Sequence, residues 1–279
     1  MRYFVTYGDA FFEGTMHRLI EQVKGLGLFD KICSFSPDKV SSTVKQSEIF
    51  RIKRGGGLWI WKPDIIYSVL CDSEENDIII YCDAGCSVYK SKEWNKYFEL
   101  LDRYDIIVQK IFQKTYEWTR KELIRDFTPS NGTRWELSYQ FQATILLKNT
   151  SFTRQFVKEW RDYMLRYPEY YLDVEYSDMS NQHTGFIESR HDQSIYSALV
   201  YKYLNEKDKA RKIYVMWEHI EDKDIIFNQA IRATRIRSTK QNNNETKAVL
   251  KRLIKDYIYK PLVIVPTELI YKIRRKLCN

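Results

Sequence analysis

The sequence has few of the residues that mark collagen-like, disordered or disulfide-linked chains. Only 10 glycines and 6 prolines occur in 279 residues, whereas 44% of the residues are hydrophobic, so we expect an ordered globular protein with a substantial core. The five cysteines include no Cys-x-x-Cys pair and have no histidine nearby at zinc-binding spacing. We therefore expect reduced, mostly buried thiols, and neither a disulfide framework nor a zinc site.

Long apolar runs are absent as well. No stretch of 18 consecutive apolar residues occurs, so no transmembrane helix is expected. The chain begins with a predicted strand, Arg2 to Tyr7, and lacks the basic and apolar segments of a secretory signal. Together these absences predict a cytoplasmic protein.

Aromatic residues, in contrast, are abundant, at 15% of the chain with 21 tyrosines. Tyrosine and tryptophan combine an apolar ring with a polar edge, which suits contacts with polar ligands such as sugars. The same residues can equally fill a core, so the composition is compatible with both uses.

Positive charge is concentrated at the C-terminal end. Residues 225–279 hold 13 Lys and Arg against 3 Asp and Glu, whereas residues 1–224 hold 32 against 34. We therefore predict a domain at 1–224 and a basic, mostly helical extension at 225–279. Two apolar stripes with basic neighbours within 245–279 are typical of helices that either lie on an anionic membrane or dock on a core.

Hydrophobic patterns predict that strands and helices alternate. The opening order of strand Arg2–Tyr7, helix Thr15–Leu26 and strand Lys31–Ser36 is typical of a doubly wound α/β sheet. Short apolar runs predict further strands at Ile78–Cys82, Tyr104–Gln109, Phe141–Leu147 and Ile213–Met216. Helices are predicted at Pro63–Leu70, Glu117–Arg125, Phe152–Tyr167 and from about residue 188 onward. The predicted fold class is therefore α/β.

A carboxylate follows one of the buried strands. Asp83 comes directly after the run Ile78–Cys82, which has the composition of a strand in a parallel sheet. Because ligands of open α/β sheets bind outside the carboxyl ends of strands, Asp83 is well placed to hold Mg²⁺ or Mn²⁺ beside a substrate's phosphates. The alternative is that Asp83 only caps the next turn, with Gly85 supplying a positive φ.

A basic and glycine-rich stretch lies upstream, at residues 51–64. It combines Lys53, Arg54 and Lys62 with three glycines, and Pro63 suits the first turn of a helix. Backbone amides of such a loop can bind phosphate while the basic side chains add charge. An ordinary flexible loop is the alternative.

Two more candidate positions lie downstream. Asp192 and Gln193 fall in the first turn of a predicted helix, where they can project into a cleft, although Ser189 or Asp192 can also simply cap the helix. His219 follows the predicted strand Ile213–Met216, where it serves either as a ligand or in a structural role.

Three of these stretches occur in a shared order over roughly residues 1–220: Trp59 to Pro63, Tyr81 to Cys86 and His191 to Ser194. They resemble the donor-side helix start, the metal motif and the downstream Asp-Gln motif of GT-A fold nucleotide-sugar glycosyltransferases. The likeness is greatest to bacterial capsule and lipopolysaccharide enzymes that are loosely related to the glycogenin-like group. The sequence departs from that pattern at Gly85, where the usual metal motif has a second aspartate.

The resemblance implies a Rossmann-like mixed sheet flanked by helices, and an enzyme with a nucleotide-sugar donor. It implies that the donor is bound by Thr6, Tyr7, Gly8, Asp9, Lys62, Asp83, Ala84 and Gly85. Asp192 and Gln193 are implied as catalytic residues, and Asp83 with His219 as ligands of Mn²⁺ or Mg²⁺. With glycine at position 85, the metal would rest on Asp83, on Asp192 or His219, and on the donor diphosphate.

The resulting hypothesis is a glycosyltransferase of the hexosyltransferase type. It would move a sugar, preferably from a UDP-sugar, to a glycan or lipid-linked acceptor in surface polysaccharide synthesis, with retention of configuration favoured. Residues 245–279 would hold it at the inner face of the cytoplasmic membrane, and no nucleic acid is expected as a partner. The alternative is a catalytically degenerate binding module whose basic tail binds a polyanion.

Overall fold

The computed structural model describes residues 1–129, 131, 133–218 and 229–236. In these residues, one seven-stranded sheet forms the centre of the molecule, and a two-stranded sheet lies beside it. The strands are β1 (Arg2–Tyr7), β2 (Lys31–Phe35), β3 (Ile78–Tyr81), β4 (Ser87–Val88), β5 (Ile106–Lys114), β6 (Tyr139–Phe141), β7 (Ile145–Lys148), β8 (Ile213–Trp217) and β9 (Ile231–Arg232).

The large sheet is mixed. Its order is β2-β1-β3-β7-β5-β6, with β8 also paired to β5. Strand β1 runs parallel to β2 and β3, and β8 runs parallel to β5, whereas β7 is antiparallel to both β3 and β5. The mixed α/β class is confirmed. The expected parallel surroundings of Ile78–Cys82 exist only on the β1 side, because β7 pairs with β3 in the opposite direction.

Helices cover both faces of the sheet. They are α1 (Glu13–Lys24), α2 (Ser42–Lys45), α3 (Gly55–Leu58), α4 (Trp61–Asp72), α5 (Glu93–Arg103), α6 (Lys121–Phe127), α7 (Ser151–Arg166), α8 (Asp192–Leu204) and α9 (Lys207–Ala210). Side chains of a strand alternate between faces. Phe4 of β1 therefore packs in a buried cluster with α1 and α5, whereas Val5 packs with α4, α7 and α8.

Two helices begin later in the structure than the sequence predicts, and both shifts have the same cause. The segment predicted as helix Glu117–Arg125 is a 3₁₀ turn over Thr115–Trp118 followed by α6, and the helix expected from about residue 188 begins only at Asp192. The carbonyls of Glu117 and Trp118 accept hydrogen bonds from the amides of Ile187 and Arg190. These backbone groups pair two distant segments and are thus not available for a helix.

The strand expected over Phe141–Leu147 is two strands. Strand β6 ends at Phe141 and β7 begins at Ile145, and the chain bends between them. The amide of Gln142, directly after β6, donates to the carbonyl of Gln109 in β5 at 2.8 Å, and both β6 and β7 pair with β5 on either side of the bend. An apolar pattern alone carries no signal for such a bend.

Residues 229–236, which follow the predicted boundary at residue 224, pack against the turn after β3. Strand β9 pairs with β4, and the hydroxyl of Thr234 donates to the carbonyl of Gly85 at 2.9 Å. The stripes predicted within 245–279 lie outside the described residues. Among the helices that are described, none is long and apolar enough to cross a membrane.

Candidate active site

Lys62 is a fully buried lysine at the start of α4. Its side chain is 2% exposed, and its amide donates to the carbonyl of Trp59 at 3.0 Å. The chain reaches this position through three glycines with positive φ, of which Gly57 has a φ of 93° and lies so close to Phe50 that a Cβ would meet its Cα at 2.7 Å. This turn therefore requires glycine, and it directs the lysine inward.

The ammonium group of Lys62 bridges two carboxylates. Its Nζ lies 2.7 Å from Oδ2 of Asp192 and 3.2 Å from Oδ1 of Asp83. The hydroxyl of Tyr81 donates to the same oxygen of Asp83 at 2.6 Å. Three predicted site residues, far apart in the sequence, thus meet at the end of β3. Asp192 is buried, whereas the side chain of Asp83 is 47% exposed.

Burial and charge act in opposite directions in this cluster. Burial alone would lower the pKa of Lys62, but the carboxylates of Asp192 and Asp83 outweigh it and the pKa is raised above its ordinary value. Burial raises the pKa of Asp192, and the nearby ammonium offsets this only in part. The two carboxylates therefore favour the charged form of Lys62, and the ammonium of Lys62 in turn favours the ionised form of Asp192.

Asp192 is the first residue of α8 but it does not cap the helix. The residue at the N-cap position is His191, with φ of 50° and ψ of −119°, and no side chain caps this end. The carbonyl of Asp192 accepts a hydrogen bond from the indole of Trp160 at 3.1 Å. Its carboxylate points to Lys62, so the simple capping interpretation of Asp192 is wrong, whereas the hydroxyl of Ser189 accepts a hydrogen bond from the amide of His191 at 3.2 Å just before the helix.

Gln193 lies beside the buried carboxylate and is half-buried. Its side-chain amide nitrogen donates to Oε1 of Gln140 at 3.0 Å, and Gln140 is fully buried in β6. Sequence reasoning missed Gln140, because a single glutamine in a short strand carries no signal of its partner.

The loop after β1 reaches the site through an aromatic contact. Tyr7 stacks on Trp61, with ring centroids 3.7 Å apart and planes 15° from parallel, and Trp61 immediately precedes Lys62. Thr6 is buried at the end of β1, and its Oγ1 has no hydrogen-bond partner among the described residues. Gly8 is also buried, and a Cβ there would meet Met16 at 3.1 Å.

Asp9 has a structural role in this loop. Its Oδ1 accepts hydrogen bonds from the amides of Phe11 and Phe12, each at 3.0 Å, which orders the turn into α1. Of the four residues predicted here, Tyr7 thus contacts Trp61, the residue that precedes Lys62, whereas Asp9 orders the turn into α1.

Gly85 allows two chain segments to approach closely. A Cβ at this position would lie 3.2 Å from the carbonyl oxygen of Ile236, and the carbonyl of Gly85 accepts hydrogen bonds from Thr234 and from the amide of Ile236. Its φ is not positive, so the expected left-handed turn at Gly85 is wrong. Glycine is present because backbone occupies the space where the usual motif has a second carboxylate.

The carbonyl of Ala84 is also held by a side chain. Arg18 of α1 donates to the carbonyls of Ala84, at 3.2 Å, and of Cys86, and to the hydroxyl of Ser87 at 2.9 Å. Arg18 thus fixes the turn that carries Asp83. Sequence reasoning missed it, although its place on the polar side of α1 was visible.

The residues described here do not by themselves fit a divalent ion. No group of three or more histidine, cysteine or acidic side chains that could hold a metal occurs among them. Asp83 offers a carboxylate, Asp192 already faces Lys62 and Gly85 offers no side chain. His219, the other expected ligand, lies outside the described residues, so the Mn²⁺ or Mg²⁺ site stays a prediction.

The other basic residues of the glycine-rich stretch lie apart from the acid pair. Arg54 forms ion pairs with Asp173 at 2.8 Å and with Glu188 at 3.6 Å. Through these ion pairs, Arg54 joins the glycine-rich turn to the chain segment that carries Asp173 and Glu188. Among the three basic residues considered there, only Lys62 contacts Asp83 and Asp192.

A scan of protein-family models and a search of curated proteins each give no match. Several solved structures, however, are similar in fold. The galactosyltransferase LgtC, in complex with donor and acceptor sugar analogues, has 13% identity and a TM-score of 0.36 over 76% of this chain and 72% of LgtC. Mouse xyloside xylosyltransferase 1 has 10% identity and a TM-score of 0.41 over 77% and 85% of the two chains.

GlyE of Streptococcus pneumoniae TIGR4 has 15% identity and a TM-score of 0.36 over 78% of this chain and 45% of GlyE. All three are glycosyltransferases.

Proposed function

We propose that this protein is a glycosyltransferase that uses a nucleotide-sugar donor. The observation that carries the proposal is the contact of Lys62 with Asp83 and Asp192 at the end of β3. A buried ammonium between two carboxylates is expensive to desolvate, and a hydrophobic replacement would often be as stable. Its placement at the edge where α/β sheets bind ligands therefore supports a functional site.

The chemistry of sugar transfer suits these residues. The bond between the anomeric carbon and a diphosphate oxygen breaks, the electron pair leaves with the diphosphate, and the sugar becomes oxocarbenium-like. The acceptor oxygen forms the new bond and loses its proton to the departing phosphate oxygen. Asp192 and Gln193 would face the sugar and stabilise its developing positive charge, and Lys62 would hold Asp192 in place.

The finer features of the proposal rest on the sequence resemblance. They are a UDP-sugar donor, retention of configuration, a glycan or lipid-linked acceptor of surface polysaccharide synthesis, and contact of residues 245–279 with an anionic membrane. A divalent ion at Asp83 and His219 belongs to this group as well. When bound, such an ion would stabilise the charge of the leaving diphosphate.

The proposal is tested by a screen of UDP-, GDP-, CMP- and dTDP-sugars for thermal stabilisation and for slow donor hydrolysis, with Mn²⁺ and with a chelator. We expect one nucleotide class to stabilise the protein and to be hydrolysed. Asp192→Asn should retain the stabilisation and lose hydrolysis. A matched control is Asp162→Asn, at an exposed ion pair on α7, which should change neither.

The degenerate binding module is the competing function. The replacement of the second motif aspartate by Gly85 favours it, since the backbone of Ile236 fills that space. Absence of any donor response, together with salt-dependent binding of a polyanion such as heparin, would establish this alternative and overturn the proposal.

A further inference from the structure

The amide of Gln193 is held by a chain of hydrogen bonds whose direction can be worked out. Gln193 Nε2 lies 3.0 Å from Gln140 Oε1. On the other branch of its amide, Gln140 Nε2 lies 3.1 Å from the carbonyl oxygen of Trp118 and 3.0 Å from the hydroxyl of Thr119. Gln140 and Thr119 are both fully buried, so water does not compete for these contacts.

The carbonyl of Trp118 sets the direction of the whole chain. A carbonyl oxygen can only accept, so the branch of Gln140 that faces it has to be the nitrogen. The oxygen of Gln140 therefore faces Gln193, and Gln193 has to present its nitrogen there. The hydroxyl of Ser194 donates to the same carbonyl at 2.7 Å, which fixes the position of Trp118 from a second side.

We infer that Gln140 is a positioning residue that makes Gln193 present its amide oxygen to the ligand. With its nitrogen committed to Gln140, Gln193 has its oxygen on the opposite branch, and this oxygen accepts no hydrogen bond from the residues that the structure describes. Asp192, the neighbouring residue, presents its carboxylate to Lys62. Two consecutive residues of α8 thus have their side chains fixed by different partners, Asp192 by Lys62 and Gln193 by Gln140.

An oxygen at this place has a defined chemical use, and this step rests on the proposed function. A fixed amide oxygen accepts a hydrogen bond from a sugar hydroxyl, and its negative end stabilises positive charge that develops at the anomeric carbon. An amide presented by its nitrogen would instead repel that charge. Gln140 is thus required for the chemical step more than for binding of the nucleotide.

The first test needs no activity. In protein labelled with ¹⁵N in glutamine side chains, the signal pair of Gln193 is identified by its loss in Gln193→Met. We expect both amide protons of this pair to be resolved in the wild type, with at least one protected from exchange, and this protection to disappear in Gln140→Met. A Gln193 pair that exchanges freely in the wild type, or that is unchanged in Gln140→Met, overturns the inference.

The second test is kinetic. Because a misplaced group slows the chemical step, Gln140→Met should lower kcat for donor hydrolysis roughly tenfold, with the KM for the donor within about twofold. Gln140→Glu, which in its protonated form can donate to Trp118 and accept from Gln193, should approach the kcat of the wild type measured at the same pH as the pH is lowered. Gln142→Met is the matched control, because Gln142 donates to Thr144 and not to Gln193.

The outcomes separate the two proposals. A wild-type protein that hydrolyses no donor while Gln193 is protected defeats the proposed function and leaves the orientation of the amide established. A wild-type enzyme that is active, with Gln140→Met matching Gln142→Met in kcat, defeats the inference and leaves the proposed function standing. A donor KM that rises with unchanged kcat would also defeat it, since it would place Gln140 in binding alone.

Discussion

Lys62 and Asp192, one at the start of α4 and the other at the start of α8, meet with Nζ and Oδ2 2.7 Å apart in the interior. The second carboxylate, Asp83, touches the same ammonium from the end of β3. The two helices and the strand thus converge on one charged group, and the position of the candidate catalytic carboxylate depends on it.

Replacing Lys62 should strongly destabilise the protein. Lys62→Met keeps the apolar stem but leaves Asp192 buried without its cation, so we expect a loss of roughly 3–5 kcal/mol in the free energy of unfolding by denaturant. The matched control is Lys158→Met, which removes an exposed ion pair with Asp162 of the same 2.7 Å length. That loss should stay below about 1 kcal/mol. Equal losses of unfolding free energy in the two variants would show that the buried ion pair of Lys62 contributes no more to stability than the exposed one.

The fall of activity on the acid side of the pH profile should follow the protonation of Asp192. Burial raises the pKa of this carboxyl, so the ionised form needed at the sugar is lost as the pH falls through a value above that of an ordinary aspartate. We expect kcat/KM for donor hydrolysis to fall on the acid side at this raised value. Because Lys62 favours the ionised form, Lys62→Met should move the fall to higher pH. A fall at the same pH in both proteins would contradict the assignment.

On the alkaline side of the pH profile, loss of the proton from Lys62 should not limit activity. Its pKa lies above the ordinary lysine value because two carboxylates surround the ammonium, so its charge persists until the pH exceeds that raised value. A loss of activity near pH 8 to 9 that disappears in Lys62→Arg would contradict this expectation.

Restoring the second motif aspartate should not restore a metal site. Gly85→Asp would place a Cβ 3.2 Å from the carbonyl of Ile236 and a carboxylate beside that oxygen, so we expect thermal stability to fall and residues 234–236 to be displaced. Gly25→Asp is the matched control, because a Cβ there meets only ordinary contacts at 3.5 Å. Tight Mn²⁺ binding by a fully stable Gly85→Asp protein, seen by electron paramagnetic resonance, would contradict this.

Removal of residues 245–279 should release the protein from anionic vesicles. The deleted part carries most of the excess positive charge, and each basic residue near such a surface contributes about 1 kcal/mol to binding at low salt. Sedimentation with phosphatidylserine vesicles measures the effect, with phosphatidylcholine vesicles and high salt as controls. Unchanged sedimentation of the truncated protein would end the proposed membrane role.

The hydrophobic pattern of the sequence was sufficient to predict most of the strands and helices that surround the site. Strand β1 has the predicted bounds, and α7 is shifted by one residue at each end. Hydrophobic patterns failed where two segments far apart in the sequence pair through their backbones, as at Trp118 and Arg190. The helical pattern in 117–125 contains no information about the segment 187–190 with which it pairs.

The sequence by itself determined which residue types were available: a carboxylate after a buried strand, a lysine before Pro63 and an Asp-Gln pair at a helix start. Only the tertiary structure decided that Lys62 lies between Asp83 and Asp192, that Gln140 orients Gln193, and that Gly85 admits Ile236. These contacts join segments that are far apart in the chain, and their distances follow from how the helices pack on the sheet.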